Sequence, residues 1–391
     1  MKRYVLFISI LIFGSAFFAQ DIQHQVGVVN IEVPVRVFKG RTFIDDLTID
    51  DFEIYEDNIL QKIETVYLIK KNSIKKQEGE QHFFPKVTRN FVLLFEITEF
   101  LPKIEKSIDY FFNYVIQPGD SLMVITPIKT YNFMSEAIKK LPKDIIIDQL
   151  KGKLRKDTKL GNSEYWGLIN DLKAIMSDSD LDLEVRLQNY ESSLHRLDGM
   201  RSINGKKLLD FAGYLKSLEG QKHVFLFYQK ELIPKIDYRA IMQLESLNQN
   251  HPDLIMKLYE LFDFYKRDIA FDVDKVKQAF SDSLISIHFL LITAQRPQMQ
   301  SLEYSNTIRM EEQTEDIFSA FSEMAKATGG LVDSSANAAV SFEKAVEASE
   351  NYYLLYYSPK NYEVNGKFKT IKVKLKNMKY RITHRAGYIA N

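Results

Sequence analysis

The chain has 391 residues, 45% of them hydrophobic and 27% charged, so it is long enough for two or three domains with real cores. Lys and Arg together number 52, as do Asp and Glu, and this balance gives no electrostatic reason to expect nucleic acid or anionic lipid as a partner. No cysteine is present, which excludes disulfides, thiolate metal sites, a cysteine nucleophile and a lipid-modified N-terminal cysteine.

Met1-Lys2-Arg3 is a short basic head, followed from Tyr4 to Phe18 by an almost unbroken apolar run containing Gly14, Ser15 and Ala16. The run is short for a membrane span and reads as a secretory signal over residues 1–20, cleaved after Ala19 or Gln20, with an uncleaved anchor as the alternative. The expected location is therefore exported, periplasmic or extracellular, with no membrane contact beyond the signal segment.

From about residue 28 to 38 the pattern has a period of two, with Val29, Ile31, Val33, Val35 and Val37 on one face. Pro34 cannot donate to a ladder and predicts an edge or a bulge. Phe52–Tyr55 and Ile63–Ile69 give further short strands, so residues 21–70 read as part of a β-sandwich-like module. The charged stretch from Lys70 to His82 predicts a solvated linker, placed at 71–87.

Asn90-Phe-Val-Leu-Leu-Phe-Glu-Ile-Thr-Glu-Phe100 contains five apolar residues in a row, as a central strand covered on both faces would. An amphipathic helix around 101–115, the strand Ser121–Thr126 and a helix around 142–154 follow, and this alternation predicts a parallel sheet with helices on both faces. Residues 163–218 and 238–281 are long and helical. They read as insertions in a domain spanning 88–348, interrupted by the strand around Val224–Phe227 and followed by the strand Leu284–Thr293. Gln295 to Asn306 reads as a polar loop, and Glu311–Thr328 as a helix stopped by Gly329-Gly330. The tail, 349–391, turns to strands with a hairpin signal at Asn365-Gly366, and is expected to pair with residues 21–70.

The loop after Phe95 presents Glu96, Thr98 and Glu99, and is similar to the first loop of a von Willebrand factor A domain, whose adhesion site reads Asp-x-Ser-x-Ser. Glu96 takes the Asp position, Thr98 the first Ser and Phe100 the second. The flanks extend the likeness. Asn30–Phe38, Leu47–Asp57 and Gln61–Ile63 resemble the opening of a family of bacterial secreted proteins related to von Willebrand factor A. Ala325–Gly330, Asn351–Pro359, Gly366–Leu375 and Arg385–Tyr388 resemble its closing segments. The resemblance implies a von Willebrand factor A-like (Rossmann-like), doubly wound α/β domain with a helical insertion, and a binding site at the carboxyl-end edge of its sheet.

A complete site of that family holds Mg²⁺ through hydroxyls and aspartates in near-octahedral oxygen geometry. Here Glu96 is one methylene too long, Phe100 offers no ligand, and the later acidic position falls near Tyr228-Gln229-Lys230. Thr158 and Ser163 are the candidates for the threonine position. The metal site is thus read as degenerate at Glu96 and Thr98, with no cofactor expected and Mg²⁺ or Ca²⁺ the only ions in question. A second reading of Thr98 and Glu99 is that they cap the helix beginning near Pro102.

The seven histidines have no metal-ligand spacing, and there is no nucleophile elbow, P-loop or dinucleotide fingerprint. His288 sits in an apolar strand and reads as a core residue. Together these point to an exported, non-enzymatic protein that binds a protein partner through Glu96, Thr98, Glu99, Gln229 and Lys230. The alternatives are an envelope hydrolase with active groups in the insertion, or a purely structural envelope component.

Overall fold

A computed structural model describes residues 29–391 apart from 81–83, 134, 202, 230, 263–270, 293–307, 314, 335–336 and 377–378. The expected signal segment and the polar loop 295–306 therefore lie outside the described residues. The architecture is mixed α/β, with several sheets.

At its centre is a six-stranded sheet in the order Val332–Asp333, Ile285–Ile292, Gln221–Gln229, Arg89–Glu96, Ser121–Ile125, Thr130–Phe133. All neighbours are parallel except the last pair. Numbered by their order in the chain, the strands lie 3-2-1-4-5-6 from Thr130–Phe133 to Val332–Asp333. The chain first builds outward from Arg89–Glu96 in one direction. It then returns to lay Gln221–Gln229 on the other side.

The alternation within each strand supplies two cores. Phe91, Leu93, Phe95, Phe225 and Phe227 face a layer containing Ile104, Ile108, Leu150, Leu154 and Phe342. Val92, Val224, Leu226 and Phe289 face Ala212, Leu215, Val276, Phe280 and Phe321 on the other side. Both faces are covered, and the strands read as near-continuous apolar runs for that reason. Helices Gly205–Ser217 and Val273–Asp282 belong to this second layer, which removes them from the insertion expected at 163–218 and 238–281. Periodicity marks a helix face as apolar but does not say what it packs against.

What remains of the two insertion segments is one body. Helices Ser163–Ser177, Leu183–Arg201, Tyr238–Leu247 and Pro252–Phe262 bury Leu168, Leu172, Tyr190, Leu194, Ile241 and Leu258 in a shared core. Glu231–Ile236 and Ile308–Gln313 form a two-stranded antiparallel ladder that adds Ile233, Ile236 and Ile308. The first of these strands starts two residues after Gln229, so this body stands beyond the carboxyl end of the central sheet.

Strands from both chain termini interleave in two further antiparallel sheets. One runs Arg381–His384, Ile31–Lys39, Asn351–Tyr357, Ile63–Lys70, Ser73–Gly79, and the other Gly387–Ile389, Phe368–Leu375, Phe52–Glu56, Ile59–Gln61. Ile31, Val33, Val35, Val37, Ile54, Tyr353, Leu355, Ile371 and Val373 fill the core they share. Pro34 lies where Ile31–Lys39 has one paired neighbour, because Arg381–His384 joins its other side only from Val35 onward.

Two expectations are corrected here. Residues 73–79 are not linker but an edge strand paired to 65–70 through a tight turn at Lys71, whose φ is 57°. Its lysines and acids are the polar composition that an exposed edge requires, so its charge hid its structure. The Asn365-Gly366 turn does not close a hairpin: it carries the chain from one terminal sheet to the other, and both its amides donate to the Ala390 carbonyl.

The terminal module docks on the amino end of the central sheet. Gln221 Nε2 donates to Glu32 Oε1 at 3.0 Å, and the buried Arg36 reaches Ser286 Oγ at 3.0 Å and the Gly329 carbonyl at 3.3 Å. Ser281 Oγ and Gly387 add a reciprocal pair of bonds at 3.0 Å each. Among the described residues no helix is long and apolar enough to cross a membrane.

Candidate functional site

Strands Arg89–Glu96 and Gln221–Gln229 are neighbours, and the connections that follow them run to opposite sides of the sheet. In open α/β sheets a crevice forms outside the carboxyl ends at such a reversal. Here those ends carry Glu96 and Gln229, one register position apart because Glu96 pairs with Tyr228.

Gln229 is 1% exposed, and its Oε1 accepts from Thr98 N at 3.0 Å, Glu99 N at 2.8 Å and Thr98 Oγ1 at 3.3 Å. From the other side, Asn162 Nδ2 donates to the Ile97 carbonyl at 2.9 Å, and Trp166 Nε1 lies 3.5 Å from the Thr98 carbonyl. The loop backbone is thus held between a strand end and the root of the helical body. Glu96 is left exposed, with Thr98, Glu99 and Trp166 half-buried around it.

Of the residues expected in the site, the structure brings Glu96, Thr98, Glu99 and Gln229 together. Lys230 lies outside the described residues. Gln229 acts on the loop from within; it does not face solvent. The capping role read for Thr98 and Glu99 does not occur: Leu101 is the N-cap of helix Pro102–Tyr110, without a side-chain cap bond, and Pro102 takes the first helical position.

Several residues of this end escaped the sequence reading. Asp157 is 3% exposed and accepts from Thr126 Oγ1 at 2.9 Å and Tyr131 Oη at 2.8 Å, tying the neighbouring strand end to helix Lys143–Gly161. Asn162 precedes helix Ser163–Ser177 in the position where Asn is favoured, a local signal that was available. Nothing local marked Asp157, since its partners arrive from residues 126 and 131.

The donor set does not fit Mg²⁺ of the kind the resemblance implies. Glu96 is exposed, the Thr98 hydroxyl is turned to Gln229, and Phe100 lies under the Arg155 guanidinium at 5.5 Å from its ring centre. A carboxylate at position 229 would keep one oxygen for the loop amides and offer the second to an ion. Gln229 presents Nε2 there, a donor. Nε2 and the buried Thr158 Oγ1 have no hydrogen-bond partner among the described residues. Ser163, the other candidate, is exposed and bonds the Leu160 carbonyl. Among the described residues no three His, Asp or Glu side chains gather as a metal-holding group.

No protein-family model, curated protein or solved structure matches the chain. The site rests on its own geometry.

Two histidines in the sheet interior, away from this edge, are strongly perturbed. His223 and His288 are completely buried, 6.5 Å apart between ring centres. Burial first, and then the nearby Arg36 guanidinium, pushes both downward, His288 to about 3. Leu331 N donates to His288 Nδ1 at 3.3 Å, which makes this ring the acceptor expected of a neutral core histidine. Burial likewise raises Glu32 and Glu350. Arg36, which depresses both histidines, and Glu32 belong to the terminal module, so these groups lie at or near its contact with the central sheet.

Proposed function

We propose that the protein is an exported, non-enzymatic binding protein whose central domain is von Willebrand factor A-like, with a flanking β-sandwich-like module formed by the chain ends. Recognition of a protein partner occurs at the carboxyl-end edge of the central sheet, through Glu96, Thr98 and Glu99, without a bound metal ion. The observation that carries this reading is the position of the strand-order reversal. It falls between Arg89–Glu96 and Gln221–Gln229, the pair whose ends carry these residues.

Support comes from how the loop is held. Its backbone groups are bonded by Gln229, Asn162 and Trp166, so ordering it costs little on binding, while Glu96 remains exposed. The helical body rises beside this edge and gives a partner a second wall.

A photoreactive residue placed at position 96 or 99, in cells that make the protein, tests the reading. Adducts to a defined protein are expected at both positions, unaffected by EDTA, and absent at Glu219, which is exposed at the amino end of the sheet. Loss of the adducts on chelation would overturn metal-independent recognition. Equal labelling at 219 would remove the edge as the site.

A further inference from the structure

A cleft of about 570 Å³ opens where the terminal module meets the last helix of the central domain, Ala338–Glu350. Its walls bring Phe38, Phe43 and Arg41 together with Lys344, Glu347 and Arg381. Concave sites of this size, at the junction of two units and with aromatic surface beside a few fixed polar groups, suit small ligands.

The charges of the cleft are unevenly paired. Lys70 is bonded to Asp45, and Lys344 to Asp333 at 3.1 Å. Arg41 and Arg381 are exposed and have no carboxylate partner among the described residues. With those two ion pairs set aside, two guanidinium groups share the lining with one remaining acid, Glu347, and one positive charge is in excess.

Arg381 is also pre-oriented. Its guanidinium lies over the Phe38 ring at 4.6 Å from the centroid, so one face is stacked while its N–H edge stays open. A planar fork held in this way matches a carboxylate bidentately. Phe38 is buried beneath Arg381, and the half-buried Phe43 beside it offers apolar surface to whatever the carboxylate is attached to. A second cleft of about 500 Å³ shares Arg381 and Leu331, which leaves room for that body to extend.

We propose that this cleft binds a small monocarboxylate carrying an aromatic or branched apolar body, with Arg381 and Arg41 holding the carboxylate. The ligand is either a free organic acid or the carboxyl end of a peptide. The site is separate from the carboxyl-end edge, and its failure would leave that reading untouched.

Calorimetric titration of the purified full chain with 3-phenylpropionate, with 3-phenylpropanamide, and with acetyl-Ala-Ala-Phe as free acid and as amide tests this. Both acids, or one of them, should bind at least tenfold more tightly than the matching amides. Binding of the first acid alone assigns a free acid, and binding of the second assigns a peptide end. The double substitution Arg41→Gln with Arg381→Gln should lower acid affinity at least tenfold while the melting curve stays in place, since both side chains are exposed. Hydrogen exchange on the unsubstituted chain should slow at residues 38–45 and 344–351 when acid is added. The proposal is wrong if neither acid binds at millimolar concentration, if acid and amide bind alike, or if the double variant binds as well as the parent.

Discussion

At the amino end of the central sheet, charged side chains are buried and bonded between segments far apart in the chain, whereas at the carboxyl end, Asp157 apart, a short loop is bonded through its backbone and Glu96 is left exposed. Arg89 and Asp120, each 2% exposed as side chains, make a two-pronged ion pair at 3.0 and 2.6 Å, and Arg89 also reaches the Val115 carbonyl. Arg36 crosses from the terminal module into the same layer. At the other end Gln229 takes three donors on one oxygen and Glu96 stands in solvent. An end built from buried charge is committed to holding modules together. An end built from a braced loop is available to something else.

Substitutions sharpen the contrast, beginning with the most severe. Asp120→Asn leaves Arg89 charged and buried with Glu350, 3.7 Å away, as its one carboxylate partner among the described residues. Breaking a buried pair in this way costs about 3–5 kcal/mol, to be read from chemical denaturation.

The pH dependence of stability should also come from the amino end. His223 and His288 are depressed in the folded chain relative to the ordinary 6.5. Their contribution is full above about pH 6.5 and is lost as pH falls toward the folded value, about 3 for His288. Within that window the unfolded chain binds more protons, so each histidine steepens the loss by about 1.4 kcal/mol per pH unit. The raised Glu32 and Glu350 act in the opposite sense, so the comparison that isolates the histidines is between the parent and His288→Gln. The variant should lose stability less steeply between pH 6 and pH 4; identical slopes would contradict the assignment.

At the carboxyl end the effects are smaller. Gln229→Ala strands the Thr98 and Glu99 amides, for a cost of about 1–3 kcal/mol, and their hydrogen exchange should quicken. Glu96→Gln should move stability by less than about 0.5 kcal/mol, because the side chain is exposed, while weakening capture of the partner.

This contrast between ends also separates what was legible in the chain from what was not. The apolar run at Phe91–Phe95 and the alternation of Ile31, Val33, Val35 and Val37 announced their strands because burial on one or both faces dictates residue type along the strand itself. Ser73–Gly79 did not announce itself, since an exposed edge strand is selected for charge and resembles a linker. The helices 163–201 and 238–262 were visible singly, but their common core depends on contacts across more than 40 residues. In the site, Glu96, Thr98 and Glu99 were readable as a strand end. Asp157 and Arg36 were not, because nothing in their neighbourhoods shows that partners from distant segments will meet them.

The most direct test of metal-independent recognition at the carboxyl end is the melting temperature of the chain in EDTA and then in excess Mg²⁺, Mn²⁺ or Ca²⁺. An ion held by the native state at about a hundred times its dissociation constant would add roughly 2.7 kcal/mol, enough to raise the midpoint by several degrees. With Gln229 presenting a donor and Phe100 no ligand, the three curves with metal should overlay the curve in EDTA. A clear rise that disappears in Glu96→Ala would show that an ion does sit at this edge, and would contradict the account.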